Sequence, residues 1–146
     1  MIIRTAINKA SIELRKKKID NSILDSEILM SKVLNKKRDY IILNLEKSLS
    51  SENFAFFKHL VNERLKGKPV AYLTGKKNFW KDEFYVNENV LIPRPDTEII
   101  VEQILEIYKN KKNLRILEIG VGSGCILLSI LKEKKGFTGA GIDVSK

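Results

Sequence analysis

The chain has 146 residues, 43% of them hydrophobic and 31% charged, and carries a net charge of +9. That length suits one or two small domains, and the balance describes a soluble globular protein and excludes a disordered one. The single cysteine, Cys125, excludes an intramolecular disulfide and fits a reducing cytoplasm, and no run approaches the roughly 18 apolar residues of a membrane span.

The basic N-terminus, MIIRTAINKASIELRKKK, lacks the apolar block of a secretion signal, and Glu13 argues against mitochondrial targeting. Ile3, Ala6, Ile7, Ala10 and Leu14 recur at helical spacing. Asp20-Asn21-Ser22 breaks the chain and offers a cap to a second helix, whose stripe is Ile23, Ile28, Leu29, Val33 and Leu34. Tyr40, Ile41, Leu43 and Leu45 predict a short third helix. Ser50 or Ser51 caps a fourth, carrying Phe54, Phe57, Leu60, Val61 and Leu65, with a stop at Gly67 and Pro69 just past it. Residues 1–70 thus read as a small helical bundle. The basic runs Arg15–Lys18 and Lys36–Arg38 read as helix ends, where cations suit the macrodipole. A charge of +9 is compatible with a nucleic-acid or acidic partner, but the lysines are spread out.

The texture changes at residue 70. VAYLTGKKNFWKDEFYVNENVLIPRP holds two aromatic-rich runs separated by Lys81-Asp82-Glu83, which predicts a β-hairpin. Residues 71–95 therefore read as a hairpin linker. Pro93 and Pro95 fix the backbone, and Asp96 or Thr97 starts a helix to about Asn110. LRILEI, at 114–119, is short, apolar and without face alternation, as expected of a strand buried on both faces. A glycine turn, a helix over 123–135 and a second strand over 138–142 follow. The fold class is α + α/β: a helical bundle, a hairpin linker, then a first βαβ unit of an open sheet at 96–146.

The chemistry concentrates in LEIGVGSGCI. A glycine loop between strand and helix brings a ligand against bare amide groups at the positive end of the helix dipole. Cys125-Ile126 stands where a phosphate-binding P-loop needs Lys-Ser/Thr, and the dinucleotide fingerprint needs glycine at 125. What remains is acid-x-Gly-x-Gly-x-Gly at Glu118, Gly120, Gly122 and Gly124, with a second acid, Asp143, ending the next strand. An acid there is placed to accept ribose hydroxyls. The arrangement resembles motif I of the class I, Rossmann-like methyltransferases that use S-adenosyl-L-methionine. In that resemblance Glu118, Gly120, Val121, Gly122, Ser123, Gly124 and Asp143 form the cofactor site, the loop and helix end facing the methionine carboxylate and Glu118 its ammonium. No His/Cys metal cluster is expected. Arg94, Asp96, Thr97 and Glu98 read either as the cofactor mouth or as a proline-fixed turn with a helix cap. Phe79 and Trp80 read as core, His59 as a helix-surface or core residue, and Cys125 as a small packed residue.

AYLTGKKNFW, LIPRPDTEIIVEQIL, LEIGVGSGCI and GIDVS occur in the order and spacing of the HemK family of protein-(glutamine-N5) methyltransferases. The resemblance covers essentially the whole chain, with Glu118-Ile119-Gly120-Val121 standing where that family more often has Asp-Leu-Gly-Thr. It implies a cytoplasmic enzyme of translation termination, with residues 1–70 recognising substrate. Its partners are peptide-chain release factors, with nucleic acid met only indirectly. The implied reaction methylates the glutamine amide of their Gly-Gly-Gln motif. That amide is polarised in the family by an Asn-Pro-Pro-Tyr loop. This sequence has no Asn-Pro pair, so the expectation is an N-terminal part of such an enzyme, inactive alone and without catalytic residues of its own. A non-catalytic helical interaction module and a nucleic-acid amino-methyltransferase are the alternatives.

Overall fold

The computed structural model describes residues 1–145 and divides into two compact units, Met1–Thr74 and a second beginning at Gly75. The first is helical: α1 (Ile3–Lys16), α2 (Ser22–Leu34), α3 (Arg38–Leu43), α4 (Ser51–Leu65) and α5 (Val70–Thr74). Ile3, Ala6, Ile7, Ala10 and Leu14 of α1 are buried against Leu29 and Met30 of α2 and Phe57, Leu60 and Val61 of α4. The predicted apolar stripe of α1 is therefore the observed core face.

Local chemistry sets the helix ends. Ser50 Oγ accepts the Asn53 amide at 3.1 Å, the cap expected before α4. Within the Asp20-Asn21-Ser22 break, Asn21 stands at the cap position of α2, and its side chain forms no capping hydrogen bond. Asn35 ends α2 in the left-handed region at φ 49°. Arg64 of α4 reaches Asp25 of α2 at 2.8 Å, with both side chains mostly buried, and donates on to the Lys68 carbonyl at 3.3 Å. This pair ties the helix pair to the turn that follows α4.

VAYLT, expected to open a hairpin strand, is helix α5. Thr74 Oγ1 donates to the Val70 carbonyl at 3.1 Å, a back-bond that fits a helical turn. The helical unit thus runs past Gly67 and Pro69 to Thr74. The hairpin is shorter than expected: β1 (Lys76–Phe79) pairs antiparallel with β2 (Asp82–Tyr85), and its turn is Trp80-Lys81. It packs within the second unit instead of linking two. Phe79 and Phe84 meet edge to face at 6.2 Å and share a core with Val101, Cys125, Ile130 and Phe137.

A 3₁₀ turn (Pro95–Thr97) leads into α6 (Glu98–Ile107). Then come β3 (Leu114–Ile119), α7 (Cys125–Glu133) and β4 (Phe137–Ile142). β3 and β4 pair in parallel, Leu114 beside Phe137 through Ile119 beside Ile142. This is the predicted strand, loop, helix, strand unit. The expectation that β3 is buried on both faces is corrected: its residues alternate between half-buried and exposed. Leu114 and Ile116 pack into the core. Leu117 and Ile119 are 61% and 77% exposed, because α6 and α7 pack against each other and leave the opposite face bare.

Candidate functional site

The glycine loop is built by the end of β4. The amides of Gly120 and Val121 both donate to the Ile142 carbonyl, at 2.8 and 3.0 Å, and Gly124 N–H closes a turn on the Val121 carbonyl at 2.8 Å. Gly120, Gly122 and Gly124 have φ of 76°, 52° and 77°, a region in which a side chain is strained. The three glycines expected from sequence are thus required by the backbone path itself. A Cβ on Gly120 would meet nothing within 4 Å. The bare backbone there faces open space, the room a ligand needs to approach it.

The two acids flank this loop. Glu118 is half-buried at the end of β3, and its Oε2 accepts the Leu127 amide at 3.1 Å in the first turn of α7. Burial raises its pKa above the usual glutamate range, and the Leu127 N–H opposes that rise only in part. Glu118 thus caps the helix end that sequence reasoning reserved for a ligand carboxylate. Asp143 follows β4. Its Oδ1 accepts the Ser145 amide at 2.9 Å and its Oδ2 the Gly122 amide at 2.8 Å. These bonds hold its carboxyl below the usual aspartate range. With Gly120, Val121, Gly122 and Gly124 engaged within the protein, the Ser123 amide is the loop donor left without an acceptor among the described residues.

Two residues outside the predicted set belong to this architecture. Gly141 of β4 lies under the loop: a Cβ on it would fall 2.5 Å from Val121 Cγ2. Its absence of a side chain is what seats Val121. The signal was present in the sequence as FTGAGI, whose two glycines weaken a strand unless something packs close. Val90, in the segment after β2, comes within 4.0 Å of where a Gly122 Cβ would stand. Nothing in its sequence marks it.

The other candidates resolve as follows. Glu98 accepts the Trp80 backbone amide at 2.8 Å, and Glu133 accepts the Trp80 indole N–H at 2.9 Å. Lys81 pairs with Glu133 at 2.6 Å, and Lys132 with Asp82. Glu98 and Trp80 therefore fasten the hairpin to α6 and α7. Arg94 and Asp96 are exposed, and the Thr97 amide donates to the Arg94 carbonyl at 3.0 Å in the proline-fixed turn. Phe79 is core, and His59 is exposed on α4. Cys125 is buried, and that burial pushes its thiol pKa up, as for an inert packed residue. No group of three or more metal-ligating side chains occurs among the described residues.

The second unit is thus an α/β arrangement in which a βαβ unit carries a glycine loop that closes on the second strand, with Glu118 and Asp143 flanking it. Residues 5–75 match the family described as the PrmC N-terminal domain. The chain is 39% identical over 145 residues to a release factor glutamine methyltransferase of Leptospira interrogans, covering 99% of this chain and 51% of that protein. It is 40% identical over 146 residues to another of that name in Buchnera aphidicola subsp. Baizongia pistaciae, covering 100% and 52%. A bifunctional methyltransferase of Rickettsia conorii is 34% identical over 167 residues, covering 98% and 32%. Residues 5–75 belong to the PrmC N-terminal domain family, and the chain spans about half the length of the two relatives named release factor glutamine methyltransferase.

Proposed function

We propose that the 120–124 loop binds S-adenosyl-L-methionine for methyl transfer to a release factor, at the glutamine amide of its Gly-Gly-Gln motif. The observation that carries this reading is the open glycine loop held between Glu118 and Asp143. The residues present fit the cofactor. Asp143 keeps acceptor capacity for ribose hydroxyls beyond its two backbone bonds. Glu118 offers its second oxygen to an ammonium, and the Ser123 amide can meet a carboxylate. The bound cofactor supplies an electrophilic methyl on a sulfonium. The chain's own residues hold and orient: the loop fixes the cofactor's position, Glu118 and Asp143 fix its two polar ends, and orientation of this kind carries much of the barrier reduction in group transfer. The helical unit is assigned to substrate recognition.

The test is titration of the 146-residue chain with S-adenosylmethionine, followed by amide resonances. The expected outcome is saturable shifts confined to Gly120–Gly124 and Asp143, with none for NAD or ATP at equal concentration. Shifts of equal size with ATP or NAD, or none at the loop, sink the reading.

A further inference from the structure

The helical unit holds most of the charge. Residues 1–74 carry 15 of the 27 Lys and Arg but 8 of the 18 acids, a net +7 of the chain's +9. At one end of that unit the charge meets exposed apolar surface. The turn after α3 is pinned to the start of α1: the Ile3 and Arg4 amides, orphan donors at a helix start, donate to the Lys47 and Leu45 carbonyls at 3.0 and 2.9 Å. Asn44 Nδ2 donates to the Tyr40 carbonyl at 2.7 Å and closes the other side. This frame holds a shallow open depression lined by Arg4, Ile42, Leu43, Leu45, Lys47 and one acid, Glu46. Leu43 is 82% exposed and Ile42 42%.

The cations of α3, its flanking turns and Arg4 are only partly spent. Arg4 pairs with Glu46 at 2.6 Å and Arg38 with Glu27 at 2.7 Å. Lys36 and Lys47 instead stand over the Tyr40 ring, at 5.6 and 5.1 Å from its centroid, and Lys47 also donates to the Tyr40 hydroxyl at 3.1 Å. Neither they nor Lys37 reach a carboxylate among the described residues, and Asp39 is the exposed acid of the same helix.

We infer that this end of the helical unit, centred on Leu43 with Lys47 in its lining and Lys36 over the Tyr40 ring of the same helix, is a docking surface for an acidic polypeptide segment that presents an apolar side chain. Charge complementarity selects the acidic partner. The apolar centre selects a polypeptide over a nucleic acid, since the Tyr40 ring, on which a base could stack, is flanked by the protein's own ammonium groups. A lipid surface is disfavoured because α3 has six residues, too short for an amphipathic face that lies in a membrane. The backbone bonds that pin the turn pre-organise the surface, which lowers the ordering cost of binding. This inference does not depend on methyl transfer.

The experiment is fluorescence anisotropy on the 146-residue chain with a labelled peptide of alternating Glu and Leu. Controls are a Glu/Ser peptide of equal charge, a Lys/Leu peptide, a single-stranded RNA oligonucleotide, and vesicles containing phosphatidylserine. The Glu/Leu peptide is expected to bind, more weakly as salt rises. Leu43→Ser should weaken it about fivefold, as loss of part of one buried leucine implies, and Lys36→Glu with Lys47→Glu should weaken it further. Leu91→Ser, at a residue 74% exposed in the other unit, should change nothing. Circular dichroism confirms that each variant folds. Equal binding of the Glu/Ser peptide, tighter binding of RNA or vesicles, or unchanged affinity in Leu43→Ser overturns the inference.

Discussion

Asp143 accepts the Gly122 amide at 2.8 Å, so the acid that ends β4 clamps the loop that follows β3. A residue that the sequence reading placed against a ligand is, in the structure, a brace for the 120–124 loop.

The first prediction concerns that carboxylate. Backbone N–H groups of Ser145 and Gly122 hold its pKa below the ordinary aspartate value. The folded value is depressed, so its stabilising contribution is present above the unfolded pKa and lost as pH falls through the folded one. In a ¹³C carboxyl titration Asp143 should reach its midpoint at lower pH than a free aspartate, and the Gly122 amide should titrate with it. A midpoint at or above the ordinary value removes the clamp.

A second prediction separates two glycines. A Cβ at Gly141 meets Val121 Cγ2 at 2.5 Å and Val121 Cβ at 2.8 Å, and Val121 cannot retreat without lengthening its 3.0 Å bond to the Ile142 carbonyl. Gly141→Ala should cost about 1–3 kcal/mol by overpacking, partly recovered by adding Val121→Gly. Gly120→Ala meets no neighbouring atom and bears only its φ of 76°, about 1 kcal/mol. Denaturant titrations that find the two alanine variants equal contradict this.

Glu118 gives a third. Burial raises its pKa, so the folded state resists ionising it. With the folded value above the unfolded one, this group costs stability as pH rises through the window between them and continues to cost it above. Glu118→Gln keeps an acceptor for the Leu127 amide and removes the buried charge. The variant should melt higher than the parent at pH 7, the gap closing as pH falls below about 4, while S-adenosylmethionine binds more weakly. A variant that melts lower at pH 7 defeats the argument.

Much of this was legible from sequence, and the failures have physical causes. The bounds of β3 and the three loop glycines were readable because strand, turn and helix chemistry agree there. Helix α5 was not, since VAYLT is rich in β-branched and aromatic residues, and only packing of Val70 and Leu73 on the helical core makes it a helix. The hairpin turn was misplaced because Trp80 takes φ 56°, unusual for a bulky residue, and is held there by Glu98 and Glu133 from distant helices. The partners of Glu118 and Asp143 could not be read, since both are backbone amides fixed only by the folded path.

The last prediction follows from the bare face of the sheet. Leu117 and Ile119 of β3 stand beside Ala140 and Ile142 of β4, and Leu117, Ile119 and Ile142 are 61%, 77% and 53% exposed. Contiguous exposed apolar surface on a two-stranded sheet promotes association, and unpaired strand edges add to it. In sedimentation velocity the 146-residue chain should sediment faster as concentration rises. Leu117→Thr with Ile119→Thr keeps strand propensity and removes apolar surface that the fold does not bury. It should suppress association while stability stays within about 0.5 kcal/mol per site, as for exposed positions. A destabilisation of several kcal/mol would mean that these side chains are buried in solution, and association unchanged by the pair would place the contact elsewhere on the molecule.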